Sequence, residues 1–133
     1  MTKYLLDTNI CIYFLKGQFN LHQKIDEIGV ENCFISEITV AELKYGVEKS
    51  LRKETNNKAL NMFLAKFTIL PLYTAIDVYA KEKARLSLRG KTLDDFDLLI
   101  GATAIANNLI IVTRNVSDFE RMKDLKISDW TLQ

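Results

Sequence analysis

The hydrophobic positions fall into short continuous runs separated by longer, one-sided stretches. Lys3 to Leu6 is an apolar run that stops abruptly at Asp7, the pattern of a strand buried on both faces. Ile10 to Lys16 follows at once and predicts a helix ending near Gly17. Asn32 to Ile35 reads as a weaker strand. A helix is then expected over Thr39 to Lys53, with Val40, Leu43, Val47 and Leu51 on one stripe. Residues 54 to 66 look helical, and Phe67 to Leu72 predicts a strand closed by Pro71. An amphipathic helix is expected from Ala75 to Leu88, stopping at Gly90. Asp94 to Asn107 is apolar almost all round, as in a helix buried on most sides. Leu109 to Thr113 is a clear buried strand, and Asp118 to Lys123 predicts a last helix. Strands alternating with helices predict an α/β fold: a mostly parallel sheet with helices on both faces.

Composition narrows the class without choosing a function. The 133 residues fit one domain, 1–133, and 48% hydrophobic content supplies a core for it. No segment reaches the roughly 20 apolar residues of a membrane span. The apolar N-terminus is broken by Asp7-Thr8-Asn9 and lacks the basic start and cleavage site of a secretion signal, so a cytoplasmic location is expected. Cys11 and Cys33 lie in apolar runs without metal-ligand spacing and read as two buried small hydrophobes. A net charge of +1 neither favours nor excludes nucleic acid, because an acidic cluster can offset a basic face.

The acids sit where such an offset would need them. In parallel α/β sheets, ligands bind beyond the carboxyl ends of the strands. Asp7 ends the first strand, and Asp118 lies just past the strand that ends at Thr113. Glu42 is expected in the first turn of the helix after the second strand, and Asp97 in the first turn of the buried helix. Asp97 shares a face with Gly101 and Ala104, which predicts open space above its carboxylate. Several of these acids also suit helix capping. Thr39-Val-Ala-Glu42 has capping-box spacing, as do Thr92-Leu-Asp-Asp95 and Thr74-Ala-Ile-Asp77, and Asp95 and Asp77 are assigned to capping. Asp94 suits a helix start, and Asp118 could cap the last helix. Asp7 and Asp97 resist that explanation. Each is an acid in an apolar segment with no neighbouring Lys or Arg, where a bound cation would compensate the charge.

Clustered carboxylates raise one another's pKa unless a divalent ion neutralises them. Hard oxygen donors without His or Cys select Mg²⁺ or Mn²⁺ over zinc, and the lone His22 lies in a polar stretch away from the acids. Carboxylate-bound metals activate water and stabilise the leaving oxygen of a phosphodiester.

Four segments carry a family resemblance: Asp7-Thr8-Asn9, Thr39-x-x-Glu42-Leu43-x-x-Gly46, Asp97-x-x-Ile100-x-Ala102, and Thr113-Arg114-Asn115-x-x-Asp118-Phe119. In that order and separation the chain resembles the PIN-domain nucleases, and among them the VapC toxins of type II toxin–antitoxin pairs. The likeness extends to Asp129-Trp130. It implies an α/β/α sandwich with an acidic quartet of Asp7, Glu42, Asp97 and Asp118. In that quartet Asp7 and Asp97 are the principal Mg²⁺ ligands. Thr8, Asn9, Thr113 and Asn115 match polar residues that orient the carboxylates or the attacking water; turn and cap chemistry would also explain Thr8 and Asn115. The resemblance implies hydrolysis of RNA to a 5′-phosphate and a 3′-hydroxyl, a homodimer, a small antitoxin partner, and tRNA as substrate, notably initiator tRNA. All four acids are present, so an active enzyme is expected.

Arg114 is the strongest candidate for a substrate phosphate contact. Lys44, Lys49, Arg52, Arg85, Arg89 and Lys91 either extend a basic groove or are solvated helix faces. Tyr45 offers a ring for base stacking or a helix flank. The apolar stretch of Met62, Phe63, Leu64 and Phe67 reads first as core and second as a docking face. Three rivals stand against this reading. A phosphoaspartyl phosphatase needs a second Asp where Asn9 stands, and a receiver domain needs an acidic pair and a late-strand Lys where Thr113-Arg114 stands. The third, a non-catalytic interaction module on the same fold, stays open.

Overall fold

The computed structural model describes residues 1–132. Five strands form one sheet: β1 (Tyr4–Leu6), β2 (Cys33–Ser36), β3 (Thr68–Leu70), β4 (Ile110–Val112) and β5 (Lys126–Ser128). Their order is β3-β2-β1-β4-β5 and every neighbouring pair is parallel. Seven helices connect them: α1 (Thr8–Leu15), α2 (Leu21–Ile28), α3 (Glu37–Glu48), α4 (Lys53–Leu64), α5 (Ile76–Leu88), α6 (Asp95–Ala106) and α7 (Val116–Phe119).

Continuous apolar strands are what a sheet covered on both faces requires, and the side-chain alternation sorts them into two cores. Leu6, Cys33, Ile35 and Val112 face a cluster with Ile10, Phe14, Leu43, Leu60 and Phe63. Leu5 and Ile111 point the other way, into a cluster with Leu86, Leu98, Ile100 and Phe119. The result is the expected three-layer α/β/α sandwich.

Strand order matters for chemistry. The chain steps outward from β1 to β2 to β3, then crosses back to lay β4 on the other side of β1. The connections therefore leave in opposite directions from the carboxyl ends of β1 and β4, which opens a crevice there. Asp7 and Thr113 are the residues that follow those two strands.

Several sequence expectations need correction. Residues Leu21–Ile28 form a helix and Lys126–Ser128 an edge strand, neither of which was expected. Helix α3 starts at Glu37, with the Ser36 hydroxyl accepting from the Thr39 N–H at 3.1 Å, so Glu42 lies in the second turn and closes no cap. The helix ends at Glu48, and Leu51 falls off its stripe into full exposure. Asp94 is the N-cap of α6, accepting from the Phe96 N–H at 3.1 Å. Asp95 instead pairs with Lys83 at 2.8 Å, and Asp77 makes no cap, since α5 follows directly on a short 3₁₀ turn at Tyr73–Ala75. The last helix is Val116–Phe119, shorter and earlier than expected. The core reading of Phe63 and Phe67 holds, as both rings pack on Phe14, while Met62 is exposed. Both cysteines are free and buried.

Candidate active site

The crevice gathers carboxylates from four parts of the chain. Asp7 is the N-cap of α1, with Oδ1 accepting from the Ile10 N–H at 2.9 Å. Its other oxygen accepts a hydrogen bond from the Thr113 hydroxyl, which ties the end of β1 to the end of β4. The Asp7 backbone N–H donates to the Val112 carbonyl at 3.1 Å, so both strands share its position. Asp7 is only 5% exposed. Burial pushes its pKa up to about 6; the bonds from Thr113 and Ile10 oppose the rise, and the charge of Glu42 adds to it.

Asp97 reaches the same value differently. It stands in the first turn of α6, half-buried, and its pKa is pushed up to about 6. Burial is the largest cause, followed by the charges of Asp94, Glu42, Asp7 and Asp118. The charges of Asp94, Glu42, Asp7 and Asp118 thus all act on Asp97, which puts the other three acids and Asp94 in its neighbourhood. No side-chain hydrogen bond or ion pair holds the Asp97 carboxylate among the described residues, whereas Asp7, Glu42 and Asp118 each accept one.

Glu42 accepts from the Thr8 hydroxyl at 2.6 Å, and Thr8 also meets the fully buried Thr39 hydroxyl at 3.1 Å. Thr8 and Thr39 thus steer Glu42 from α1 and α3. Asp118 accepts from the Asn115 amide at 2.8 Å and lies 3.6 Å from the Arg121 guanidinium. The Thr113 hydroxyl, besides donating to Asp7, accepts from the Asn115 backbone N–H at 2.9 Å. A continuous chain of bonds therefore runs from Asp7 through Thr113 and Asn115 to Asp118. Asn9 contributes its backbone N–H toward Asp7, and its side chain is exposed.

Sequence reasoning missed Thr39 and Arg121. Thr39 also fits capping-box spacing, which hides its role in the sequence; in the fold its hydroxyl is buried and meets that of Thr8. The space expected over Asp97 at Gly101 is taken: a Cβ there would collide with the Met122 sulfur, so this glycine seats Met122. Arg85 is committed to Glu82 and to the Arg121 carbonyl, both at 2.7 Å, and so gives no free basic contact. His22 stacks on Phe14.

The donor set suits a hard divalent cation. Among the described residues no Lys or Arg pairs with Asp7, Glu42 or Asp97, so three clustered carboxylates have no protein counter-charge. As placed, no three acidic, His or Cys side chains among the described residues stand close enough together to hold a metal ion between them, so any ion here would take fewer protein ligands directly. An open cluster of this kind matches an ion that keeps several waters and takes one or two carboxylates directly.

Comparison with known proteins gives the family. The profile described as PIN domain matches residues 4–125. The chain is 36% identical over 130 residues to Ribonuclease VapC2 of Rickettsia felis, covering 96% of this chain and 97% of that protein. It is 32% identical over 131 residues to the tRNA(fMet)-specific endonuclease VapC of Salmonella typhimurium, covering 98% and 99%. The crystal structure of DNA-bound VapBC from Salmonella typhimurium superposes with a TM-score of 0.91, over 98% of this chain and 99% of that one, at 32% identity. Ribonucleases of this family are generally dependent on divalent metal. The chain belongs to the PIN-domain family and, within it, to the VapC ribonucleases of toxin–antitoxin systems.

Proposed function

We propose that residues 1–133 form a single nuclease domain, the toxin of a type II toxin–antitoxin pair, which hydrolyses RNA at the Asp7–Glu42–Asp97–Asp118 cluster with bound Mg²⁺. Mn²⁺ is expected to substitute. What supports this reading is that Asp7, Glu42 and Asp118 all act on Asp97 beside the ends of β1 and β4, and that among the described residues Asp7, Glu42 and Asp97 have no cationic partner. Asp7 and Asp97 are the carboxylates we assign to the metal, with Glu42 and Asp118 completing its surroundings. A divalent ion bound there supplies an activated water and charge stabilisation of the phosphodiester.

The chain's own groups do the positioning. Thr113 and the Ile10 N–H fix both oxygens of Asp7, each of which keeps a further lone pair that a cation could use. Thr8 orients Glu42, and Asn115 orients Asp118. To Asn9, exposed two residues after Asp7, we assign contact with the attacking water or the RNA. Arg114, adjoining Thr113 and exposed, is the phosphate contact.

The name of the Salmonella typhimurium relative makes initiator tRNA the first substrate to try. For the antitoxin, a groove of about 480 Å³ between α1, α3 and α4 is lined by Ile12, Leu15, Val47 and Leu60 and opens on Glu42. An apolar segment seated there would lie against the acids. Exposed Tyr45, Tyr73, Ile76 and Phe96 are apolar surface available to a second copy, in line with a homodimer. We place the reaction in the cytoplasm, where tRNA is; among the described residues no helix is long and apolar enough to cross a membrane.

The test is cleavage of tRNA by the purified protein with Mg²⁺ or Mn²⁺, with chelator, and by Asp7→Ala. Cleavage is expected only for the unaltered protein with metal. Equal cleavage by Asp7→Ala would rule out this site, and no cleavage of any RNA would favour the non-catalytic interaction module.

A further inference from the structure

We propose that Tyr13, Phe19 and Arg114 form a phosphate-binding subsite beside the acidic cluster, in which the two aromatic rings hold the Arg114 guanidinium for an RNA phosphodiester. This rests on the reading above that RNA is the ligand, and it assigns positioning roles to two residues outside the family motifs quoted above. The guanidinium carbon lies 5.2 Å from the Phe19 ring centroid and 5.9 Å from that of Tyr13. The rings themselves meet edge to face, at 5.0 Å and 74°. Attraction to a ring quadrupole uses the guanidinium face and leaves its N–H edge free. That edge is the part that binds a phosphate in a bidentate fork.

Arg114 is set apart from the other arginines near the site. Arg85 and Arg121 spend their donors on carboxylates and backbone carbonyls. Arg114 makes no ion pair and no side-chain hydrogen bond among the described residues; its guanidinium lies over the two rings. On either side of it, Thr113 and Asn115 bond to Asp7 and Asp118. The cation is therefore held at the rim of a cluster that by itself repels RNA.

The turn that delivers Phe19 is unusual. Phe19 and the next residue, Asn20, both take left-handed backbone, with φ of 60° and 53°. Two successive non-glycine residues rarely do so, and a bulky ring least of all. Asn20 is the N-cap residue of α2 but makes no side-chain cap, so capping does not account for the conformation. The turn starts at Gly17, with φ of 70°, and is pinned by the Gln18 N–H donating to the Tyr13 carbonyl at 2.9 Å. It folds Phe19 back over the helix that carries Tyr13. Strained backbone persists where the surroundings over-determine it, and at functional sites it serves to preset a group.

A merely structural role for Phe19, as a partly buried ring against the core, makes a different prediction. The experiment is a double-mutant cycle read by fluorescence anisotropy of labelled tRNA in chelator, where binding is seen without cleavage. Arg114→Ala is expected to weaken binding about ten-fold and Phe19→Leu about three- to ten-fold. The double variant should be no weaker than Arg114→Ala alone. Phe19→Trp, which restores a ring face, should recover most of the loss, and Tyr13→Leu should behave as a milder Phe19→Leu. In turnover the change should fall on KM with kcat nearly constant. Additive losses in the cycle, or a Phe19→Leu protein with lowered Tm and unchanged tRNA binding, would overturn the subsite. If Phe19→Leu does not fold, the Tyr13→Leu cycle with Arg114→Ala decides by the same criterion. The unaltered protein's cleavage test is separate: binding that follows the cycle without any cleavage would sink the ribonuclease reading and leave the subsite standing.

Discussion

Asp7 and Asp97 face one crevice and share a pKa near 6, yet they are built in opposite ways. Asp7 is nearly inaccessible and held at both oxygens, so its raised pKa is burial working against good hydrogen bonds. Asp97 is half-exposed and unheld among the described residues, so burial and four like charges act on it without opposition. One carboxylate is fixed by the fold; the other is left for something to fix. The contrast teaches that the site is destabilised in the folded protein alone and becomes favourable when a cation arrives.

The largest expected effect is therefore a reversed pH dependence. A carboxyl whose folded pKa exceeds its ordinary value of 3.8 contributes stability below that value and loses it as pH rises through about 6. Without metal, the stability contributed by these two groups should fall between about pH 4 and pH 6. Asp7 should account for roughly 3 kcal/mol and Asp97 for less, because solvent screens it. Tm measured in chelator across that range checks this, and a contribution rising with pH would contradict it.

Next in size, Asp7→Asn should raise the metal-free Tm at neutral pH, because the amide oxygen can still accept from part of the Thr113, Ile10 and Asn9 donor set without a buried charge. Asp97→Asn should raise it less, and both gains should vanish below about pH 4. With saturating Mg²⁺ the order should invert, since only the unaltered site gains from binding. A lower metal-free Tm for Asp97→Asn would mean that an unseen contact holds that carboxylate.

Smaller again is the effect of Gly101→Ala. Its Cβ would meet the Met122 side chain, so the helix carrying Asp97 should be destabilised by about 1–2 kcal/mol. Met122→Ala should relieve the clash in the double variant. Chemical denaturation of the two single variants and the double variant measures the rescue, and its absence would place the fault in the backbone.

Much of this was readable in the sequence, for identifiable reasons. Asp7 and Asp97 interrupt apolar segments, and a buried charge without a local cation is visible as a pattern. The end of β1 and the end of β4 were legible because continuous apolar runs stop there. Strand β5 was not, since its three residues carry one apolar side chain, Ile127. Helix α2 has a Leu21–Ile25–Ile28 stripe, but it is short and preceded by left-handed residues that no local rule assigns to Phe. Glu42 was misplaced because capping-box spacing fitted Thr39, while Ser36 three residues earlier took the cap. The bond from Thr8 to Glu42 spans 34 residues, and the contact of Arg114 with Phe19 joins segments even further apart. Such contacts exist only once the sheet order is fixed.

The most direct test of the central claim is tRNA cleavage by Asp97→Asn at saturating Mg²⁺, with the fold checked by circular dichroism. Among the described residues the Asp97 carboxylate makes no side-chain hydrogen bond and no ion pair, so its loss should leave the structure intact and remove roughly a thousand-fold or more of the activity. A folded Asp97→Asn protein that cleaves tRNA as fast as the unaltered chain would show that the carboxylate cluster is not the catalytic site.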